Sequence, residues 1–413
     1  MSYRAFEVVG IELEYPMVDA ELQVQHLVEP LFRELAGRPC SDVSLGGVEM
    51  SNELADHVFE IKTAQPEKDL TTSEKLLAAG VKTVCGLARE KLGATLLPTA
   101  MHPFFDPRQG RTWRRAGRPI YEAYAGLFEL QRHGWMNVQS CHVNLPFGDE
   151  EETVAMHNAS ACLLPYLPAL TASSPLYEDR LGPLVDNRLG FYRSNQARFP
   201  EVTGDVVPEY IRSLADYRTR ILEPIYRRLR QTPGAERLRH EWMNSRGVIL
   251  RFMRSAMEVR VLDTQECVKM DAACAAFVRA ALRVMTSALR EGRLRLPEQG
   301  LLVADFGRVV AEGRKAEVEA PHLREWLGLS SRHKQAGAVM QALVERASEA
   351  LTRKEAPYAA LVVERLAKGN LSERIRRKLE RSADAHGVVP RERTVALYRE
   401  LAACLEANEI WAG

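Results

Sequence analysis

The first third of the chain alternates hydrophobic and polar residues with a period of two, which is typical of strands that bury one face. Near the N-terminus, Glu12 and Glu14 fall on one face of such a segment, and the hydrophobic residues beside them fall on the other. Glu60 and Lys62 share a face in the same way within the segment 56–63. Further strands are predicted at 94–100, 136–145, 246–252 and 256–262. The pattern therefore predicts a sheet whose polar face carries acidic side chains.

Helical periodicity separates these strands and then replaces them. Hydrophobic residues recur three and four positions apart in four segments, at 70–92, 150–170, 208–231 and 271–291. Beyond about residue 295, helical segments follow one another, at 334–353, 357–368, 371–386 and 391–408. Strands mixed with helices, then helices alone, predict an α+β fold with an antiparallel or mixed sheet. We therefore expect one domain over residues 1–295 and a mainly helical C-terminal region over 296–413.

Composition and charge narrow the classes of partner. The 413 residues are 46% hydrophobic, and 56 Lys and Arg against 55 Asp and Glu give a net charge of +1, which favours neither nucleic acid nor a membrane surface as a partner. The longest apolar run, 159–172, is broken by Pro165 and Pro168 and is too short to span a bilayer. The N-terminus lacks the apolar region of a signal peptide, and the seven cysteines are scattered without a Cys-x-x-Cys pair. We therefore expect a cytoplasmic protein.

Acidic residues recur on the same face of several predicted strands. The set contains two acids near the N-terminus, two around the next strand, and polar pairs on two later strands: Glu12, Glu14, Glu53, Glu60, His142 with Asn144, and Glu258 with Arg260. Acids on a solvated sheet face need no further explanation, and this alternative stays open for each strand taken alone. Together, carboxylates with one imidazole suit magnesium or manganese, which leave positions open for phosphate oxygens.

Basic residues supply candidate contacts for an anionic cofactor. The candidates lie on a predicted strand, in the stretch 244–263 and on a C-terminal helix: Lys62, Arg246, Arg251, Arg254 and Arg374. Guanidinium groups bind phosphate and carboxylate with two parallel hydrogen bonds, although a basic surface hairpin or a solvated helix face would show the same residues. The sequence contains no Gly-x-x-x-x-Gly-Lys-Ser/Thr loop, so a P-loop does not hold ATP. The segment 105–118, rich in Arg, Gly and Pro, predicts a long loop that is mobile or covers a substrate.

The ordered set of strand motifs resembles glutamate–cysteine ligase family 2, in its branch of bacterial carboxylate–amine ligases. The resemblance extends from about residue 6 to 380, and its motifs are the segments 10–15, 53–63, 141–144, 164–175, 257–263 and 366–376. It implies a glutamine-synthetase-like sheet funnel flanked by helices over residues 1–295, with the region 296–413 completing the nucleotide site. It also implies that ATP phosphorylates a small carboxylate and that an amine then displaces the phosphate to form an amide.

The resemblance also implies roles for individual residues. One metal ion would be held by Glu14, Glu53 and Glu60. The metal ion of the nucleotide would be held by Glu12, His142 and Glu258. Arg260, paired with Glu258, resembles the arginine that stabilises charge during transfer. Glu53 and Asn144 are the candidate substrate contacts.

Asn144 departs from the family pattern. Many relatives carry a second histidine at this position, and an amide cannot take a proton as an imidazole does. The substrate preference of the family therefore does not carry over to this chain, and neither the carboxylate nor the amine follows from the sequence. Two other functions stay open: a phosphotransferase similar to the related guanidino kinases, and a binding protein that keeps the fold without catalysis. A homo-oligomer is compatible with each of these functions.

Overall fold

The computed structural model describes residues 3–330 and 332–413, and its central feature is an antiparallel sheet. The strands, in chain order, are β1 (Gly10–Val18), β2 (Asp42–Leu45), β3 (Val48–Asn52), β4 (Val58–Thr63), β5 (Thr95–Leu96), β6 (Ser140–Pro146), β7 (Leu176–Tyr177), β8 (Arg180–Leu181), β9 (Val248–Arg251) and β10 (Ala256–Asp263). The main sheet has the order β2-β3-β4-β1-β6-β10-β9, with β5 paired to the end of β1, and β7 and β8 form a separate hairpin. The predicted α+β class is confirmed, and the sheet is antiparallel in each strand pair.

Helices cover one face of this sheet and make up most of the second half of the chain. They are α1 (Val28–Ala36), α2 (Leu70–Leu87), α3 (Arg118–Leu127), α4 (His133–Met136), α5 (Glu150–Leu163), α6 (Pro168–Thr171), α7 (Asn187–Tyr192), α8 (Pro200–Thr203), α9 (Leu214–Tyr217), α10 (Glu223–Arg230), α11 (Val268–Arg290), α12 (Gln299–Glu312), α13 (Pro321–Trp326), α14 (Ala336–Ser348), α15 (Ala356–Lys368), α16 (Leu371–Leu379) and α17 (Arg391–Ala407).

The period-two pattern sorts the residues of the sheet between its two faces. Ile11, Leu13 and Ile61 are buried in the core that also contains residues of α2 and α11. Glu12 lies opposite His142 on β6 and opposite Lys62 on β4, so these polar side chains share the other face. The face that points away from α2 and α11 is therefore the one that carries the predicted chemistry.

The central helix α11 is the hub of the helical layer. It contacts α2, α5, α14 and α15, and its alanine-rich surface lets these helices approach closely. Among the residues that the structure describes, α11 is the helix whose length and composition would suffice to cross a membrane, with a mean hydropathy of 1.4, yet 78% of its apolar window is buried inside the protein. Charged residues such as Lys269, Asp271 and Arg279 interrupt this helix, so it does not form an uninterrupted apolar run in the sequence.

Several predicted boundaries shift for local reasons. The predicted helix 150–170 ends at Leu163, because Pro165 and Pro168 cannot continue the hydrogen-bonding pattern of α5. The predicted strand 136–145 begins only at Ser140, since its first residue belongs to α4. The predicted strand 94–100 is reduced to the two residues of β5.

Candidate active site

Four neighbouring strands bring the predicted acids together on the polar face of the sheet. The carboxylates of Glu12 and Glu14 on β1, Glu60 on β4 and Glu258 on β10 are all buried, although this face lies outside the hydrophobic core. The ligand atoms of Glu12, Glu60 and His142 lie within 4.8 Å of one another. The structure thus groups Glu60 with Glu12 and His142, whereas the resemblance assigns Glu60 and the other two residues to different metal ions.

His142 lies at the centre of this cluster. Its Nδ1 is 3.2 Å from Glu12 Oε2, and its Nε2 is 2.9 Å from the hydroxyl of Ser140 and 3.9 Å from Glu14 Oε1. Burial opposes protonation of the ring, but the hydrogen bond with Glu12 and the charge of Glu14 outweigh it and raise the pKa of His142. The imidazole therefore partly neutralises two of the carboxylates.

Ser140 holds Glu14 in place and was missed by the sequence reasoning. Its backbone N–H donates to Glu14 Oε2 at 2.7 Å and its hydroxyl donates to the same oxygen at 3.0 Å. A serine at the start of a strand carries no recognisable signal, because its role depends on the register between β6 and β1.

The ionised forms of Glu53 and Glu60 are poorly compensated by neighbouring positive charge. Burial, and then the charges of Glu14 and Glu60, raise the pKa of Glu53 well above its usual range. Burial and the charge of Glu12 raise the pKa of Glu60 to about 7, although Lys62 Nζ lies 2.8 Å from its Oε1. Buried carboxylates that repel one another and offer only oxygen atoms are the donor set that a divalent hard cation requires.

Glu258 differs from the other acids because two arginines compensate it. Arg251 Nη1 lies 2.5 Å from Glu258 Oε2, and Arg260 donates to Oε1 from Nε at 3.0 Å and from Nη2. Burial opposes ionisation, but Arg260, His142 and Arg251 together hold the pKa of Glu258 well below its usual range. The carboxylate is therefore ionised and fixes both guanidinium groups beside the acidic cluster.

The remaining predicted residues divide into two groups. Arg254 lies 3.4 Å from Glu12 and is half-exposed. Asn144 lies opposite Glu258, and its buried Oδ1 has no hydrogen-bond partner among the described residues. Arg246 instead makes a bidentate pair with Glu209, whose oxygens are 2.5 and 2.7 Å away.

Arg374 also lies apart from the cluster. It donates to the backbone carbonyl of Trp411, and its guanidinium carbon is 5.1 Å from the centre of the Trp411 ring. The structure thus brings Lys62, Arg251, Arg254 and Arg260 to the acids, and it engages Arg246 and Arg374 elsewhere.

A cavity of about 380 Å³ opens beside the cluster. It is lined by Glu14, Glu53 and His142 and by an aromatic wall that consists of Tyr121, Tyr124, Trp135 and Trp242. A larger surface cavity of about 840 Å³ contains none of the carboxylates of the sheet, so the smaller cavity is the candidate substrate site.

Arg188 completes the cavity and was also missed by the sequence reasoning. It is buried, and its Nε lies 2.5 Å from Asp263 Oδ1, while its Nη2 has no hydrogen-bond partner in the described part of the chain. A buried guanidinium with a spare donor that lines a cavity is suited to an anionic group of a ligand. Arg188 lies outside the predicted strands, so no strand periodicity indicates its role.

Comparisons with known proteins support these observations. The model of the Glutamate-cysteine ligase family 2 matches residues 8–395. An uncharacterized protein of Archaeoglobus fulgidus is 36% identical over 403 residues, which cover 98% of this chain and 100% of that protein. A putative glutamate–cysteine ligase 2 of Gloeobacter violaceus is 28% identical over 179 residues, which span 40% of this chain and 44% of that relative.

Solved structures share the fold at low sequence identity. The glutamate–cysteine ligase of Francisella tularensis, in complex with AMP, matches with a TM-score of 0.64 and 11% identity, covering 98% of this chain and 90% of that one. A bifunctional glutathione synthetase of Pasteurella multocida matches with a TM-score of 0.60 and 15% identity, covering 96% of this chain and 52% of that one. These matches show that the sheet and its helices form the same fold as in those two enzymes.

Proposed function

We propose that this chain, which belongs to glutamate–cysteine ligase family 2, uses ATP to join a small carboxylate to an amine through an acyl phosphate. The family consists of ligases that form C–N bonds, and the chain is an enzyme of this class. The observation that carries the finer proposal is the buried cluster of Glu12, Glu60 and His142, with surplus negative charge on one side and fixed arginines on the other.

Magnesium or manganese fits the acidic side of the site. We propose that Glu12, Glu14, Glu53, Glu60 and His142 hold the ions. Bound there, the cations would neutralise the phosphate oxygens of ATP, which are otherwise repelled by the carboxylates. The donor set supports this assignment because Glu53 and Glu60, whose pKa values are raised by burial and by their neighbours, gain most from a nearby positive charge.

Arg251 and Arg260 act on the charge that develops during transfer. Glu258 fixes both guanidinium groups before the reaction, so they need no reorganisation when a phosphoryl group moves. A carboxylate resists attack by an amine because of its own negative charge, and phosphorylation removes that charge and supplies a leaving group. Arg254 at the half-exposed rim is suited to the outer phosphates of the nucleotide.

The residues that line the cavity indicate how a substrate is oriented within it. The spare donor of Arg188 is suited to a second anionic group of the substrate, and the aromatic wall is suited to an apolar or planar portion. That wall also keeps water from the acyl phosphate, whose hydrolysis would otherwise waste ATP. We propose a substrate with an apolar part next to its carboxylate, and cysteine need not be the amine.

The C-terminal region is proposed to belong to the same catalytic unit. Helices α14 and α15 within 296–413 pack against α11 of the region 1–295, which in turn contacts β6. We propose that this region supports the nucleotide side of the site through that packing.

A screen of carboxylates against amines tests the function directly. Release of ADP, followed by mass spectrometry of the product, is expected to identify a carboxylate–amine pair that is converted to an amide. The reaction of this pair is expected to stop when magnesium is removed. Replacement of Glu14 with the isosteric glutamine keeps an acceptor for Ser140 but removes a ligand charge, so Glu14→Gln is expected to lose activity on the order of a hundredfold or more. The exposed Glu345→Gln is the matched control and is expected to keep full activity.

The other outcomes separate the competing functions. A stable phosphorylated product without amide would identify a phosphotransferase. Nucleotide binding without ADP release for each tested pair would favour a binding protein. Full activity of Glu14→Gln would refute the metal assignment.

A further inference from the structure

A second cluster of metal-binding residues lies outside the catalytic face and is not used by the proposed mechanism. It consists of His26, Asp56 and His57, whose ligand atoms all lie within 4.8 Å of one another. The Nδ1 of His26 pairs with Asp56 Oδ1, and the rings of His26 and His57 meet edge to face with centroids 5.7 Å apart. We refer to these three residues as the imidazole cluster.

His57 is the residue that requires an explanation. Its side chain is only 1% exposed, and neither ring nitrogen has a hydrogen-bond partner within the described residues. A buried polar group without a partner is costly, and native proteins keep few of them. A ring nitrogen without a hydrogen-bond partner is free to bind a metal ion.

The end of β1 preorganises the cluster. The backbone N–H of Met17 donates to the carbonyl of His57 at 2.9 Å, and the carbonyl of Met17 accepts from the N–H of Gln25 at 2.8 Å. One residue of β1 thus fixes both the segment that carries His26 and the turn that carries Asp56 and His57.

We propose that His26, Asp56 and His57 form a site for a zinc-type transition-metal cation. Two imidazoles and one carboxylate favour zinc, cobalt or nickel over magnesium, which prefers oxygen ligands alone. In a tetrahedral site with ligand-to-metal distances of about 2.0–2.2 Å, neighbouring ligand atoms lie about 3.4 Å apart. The ligand atoms of the cluster therefore move by about an ångström, and the paired atoms of His26 and Asp56 separate to admit the ion. His26 and Asp56 are 21% and 18% exposed, which gives a cation and a fourth, water ligand access from solvent.

The site would connect three segments around the substrate cavity. His26 lies in the connection between β1 and α1, whereas Asp56 and His57 lie in the turn that follows Glu53, a residue of the cavity. The backbone N–H of Asp56 also donates to the carbonyl of Arg111 at 2.9 Å, within the predicted substrate-covering loop 105–118. A bound cation therefore fixes the turn that positions Glu53. The proposal does not depend on the ligase activity.

Cobalt binding tests the site, because cobalt(II) replaces zinc and absorbs visible light when bound by nitrogen ligands. Metal-free protein is titrated with Co²⁺ in excess Mg²⁺, which occupies the oxygen-rich catalytic site. The unmodified protein is expected to bind a single Co²⁺ with a visible absorption band, and both His26→Ala and His57→Ala are expected to weaken binding by at least about tenfold. Two matched variants are expected to bind as the unmodified protein does: His386→Ala, which removes an exposed histidine, and Glu14→Gln, which alters the catalytic cluster.

Each contrary result overturns the proposal. Failure of the unmodified protein to bind Co²⁺ at micromolar concentration would do so, as would unchanged binding in both histidine variants or loss of the band in Glu14→Gln.

Because His57 is buried, its replacement could unfold the protein, and Asp56→Asn removes a ligand charge at a partly exposed position instead. A thermal melt with and without Zn²⁺ gives an independent measure, since a ligand that binds only the folded state raises the Tm. The rise is expected in the unmodified protein and is expected to be absent in Asp56→Asn.

Discussion

At the scale of single residues, the buried acids of the site differ in the cations that balance them. Glu258 faces two arginines, and Glu12 faces His142 and Arg254. Within the described part of the chain, Glu60 forms its salt bridge with Lys62, and its pKa is still raised. A divalent cation bound beside Glu60 is therefore expected to stabilise the folded protein more than one bound beside Glu258.

This imbalance predicts a pH dependence that metal binding reverses. A carboxyl group whose pKa is raised by folding binds more protons in the folded state than in the unfolded state, so the free energy of unfolding falls as pH rises from about 4.5 to 7. The Tm of the metal-free protein is expected to decrease over this pH window, and the decrease is expected to be smaller in Glu60→Gln. Because magnesium binds the ionised form, its stabilising effect is expected to be larger at pH 8 than at pH 6.

Thermal melts at a series of pH values, with and without Mg²⁺, measure both effects. Two results would show that Glu60 ionises freely without a cation. One is a Tm of the metal-free protein that does not change with pH through this window, and the other is a pH dependence of Tm that is the same in Glu60→Gln.

The sequence predicts this cluster because strand periodicity alone determines which side chains share a face. Glu12 and Glu14 follow from alternation within β1, and the antiparallel register then places Glu12 opposite His142. The partners of arginines do not follow in this way. Arg246 binds Glu209, which lies in an irregular segment, and Arg188 reaches the cavity from α7, so neither position depends on a local pattern.

At the scale of elements, α3 contributes two side chains of the aromatic wall, Tyr121 and Tyr124, to the substrate cavity. Its N-cap is Gly117, with φ of 87°, and this left-handed conformation sets the direction in which the helix leaves the preceding loop. Tyr121 on α3 lines the cavity and accepts a hydrogen bond from Asn52 Nδ2 at 2.9 Å. The position of α3 therefore depends on a backbone conformation that other residues adopt with strain.

Gly117→Ala is expected to disturb substrate binding more than metal binding. A left-handed alanine costs about 1–2 kcal/mol, and relief of that strain would shift Tyr121 within the cavity. The KM for the carboxylate is expected to rise by up to about tenfold, the ratio that 1.4 kcal/mol corresponds to, with the dependence on Mg²⁺ unchanged. Steady-state kinetics at varied carboxylate and varied Mg²⁺ separate the two effects.

Gly126→Ala is the matched control within the same helix. Its new Cβ meets no atom within 4 Å and its φ is ordinary, so this change is expected to leave KM unchanged and to stabilise the helix by about 0.5–1 kcal/mol. An equal KM for Gly117→Ala and the unmodified protein would indicate that α3 does not shape the substrate site.

Elements with strong periodicity are those that the sequence predicts best. The segments 357–368 and 391–408 coincide with α15 and α17 to within one residue, because their hydrophobic faces are continuous. The predicted helical segments do not include α1, α3, α4, α7, α8, α12 or α13. α3 begins at the end of the Arg-, Gly- and Pro-rich segment 105–118, whose composition favours a loop, and it has a single buried residue, so little hydrophobic periodicity marks it.

At the scale of the whole molecule, one carboxylate joins the sheet-bearing region to the C-terminal helices. Glu355, at the N-cap of α15, is fully buried and pairs with Arg279 of α11. Its Oε1 also accepts from the N–H of Leu70, the first residue of α2, at 2.8 Å, and its Oε2 accepts from the hydroxyl of Thr352 at 2.9 Å. Three helices from both halves of the chain therefore meet at this side chain.

Glu355→Ala is expected to destabilise the whole protein rather than its C-terminal helices alone. Removing one partner of a buried ion pair leaves Arg279 as an uncompensated buried charge, which costs about 3–5 kcal/mol. A single hydrophobic core runs from β1 through α11 to α14 and α15, so neither half keeps its packing when the other unfolds. Denaturant unfolding followed by circular dichroism is expected to show one transition with a lowered midpoint and an unchanged slope.

Glu364→Ala, which removes an exposed pair with Lys368 on the same helix, is expected to cost less than about 1 kcal/mol. Two separate transitions in Glu355→Ala would mean instead that the C-terminal helices fold independently, and the nucleotide side of the site could not then depend on their packing.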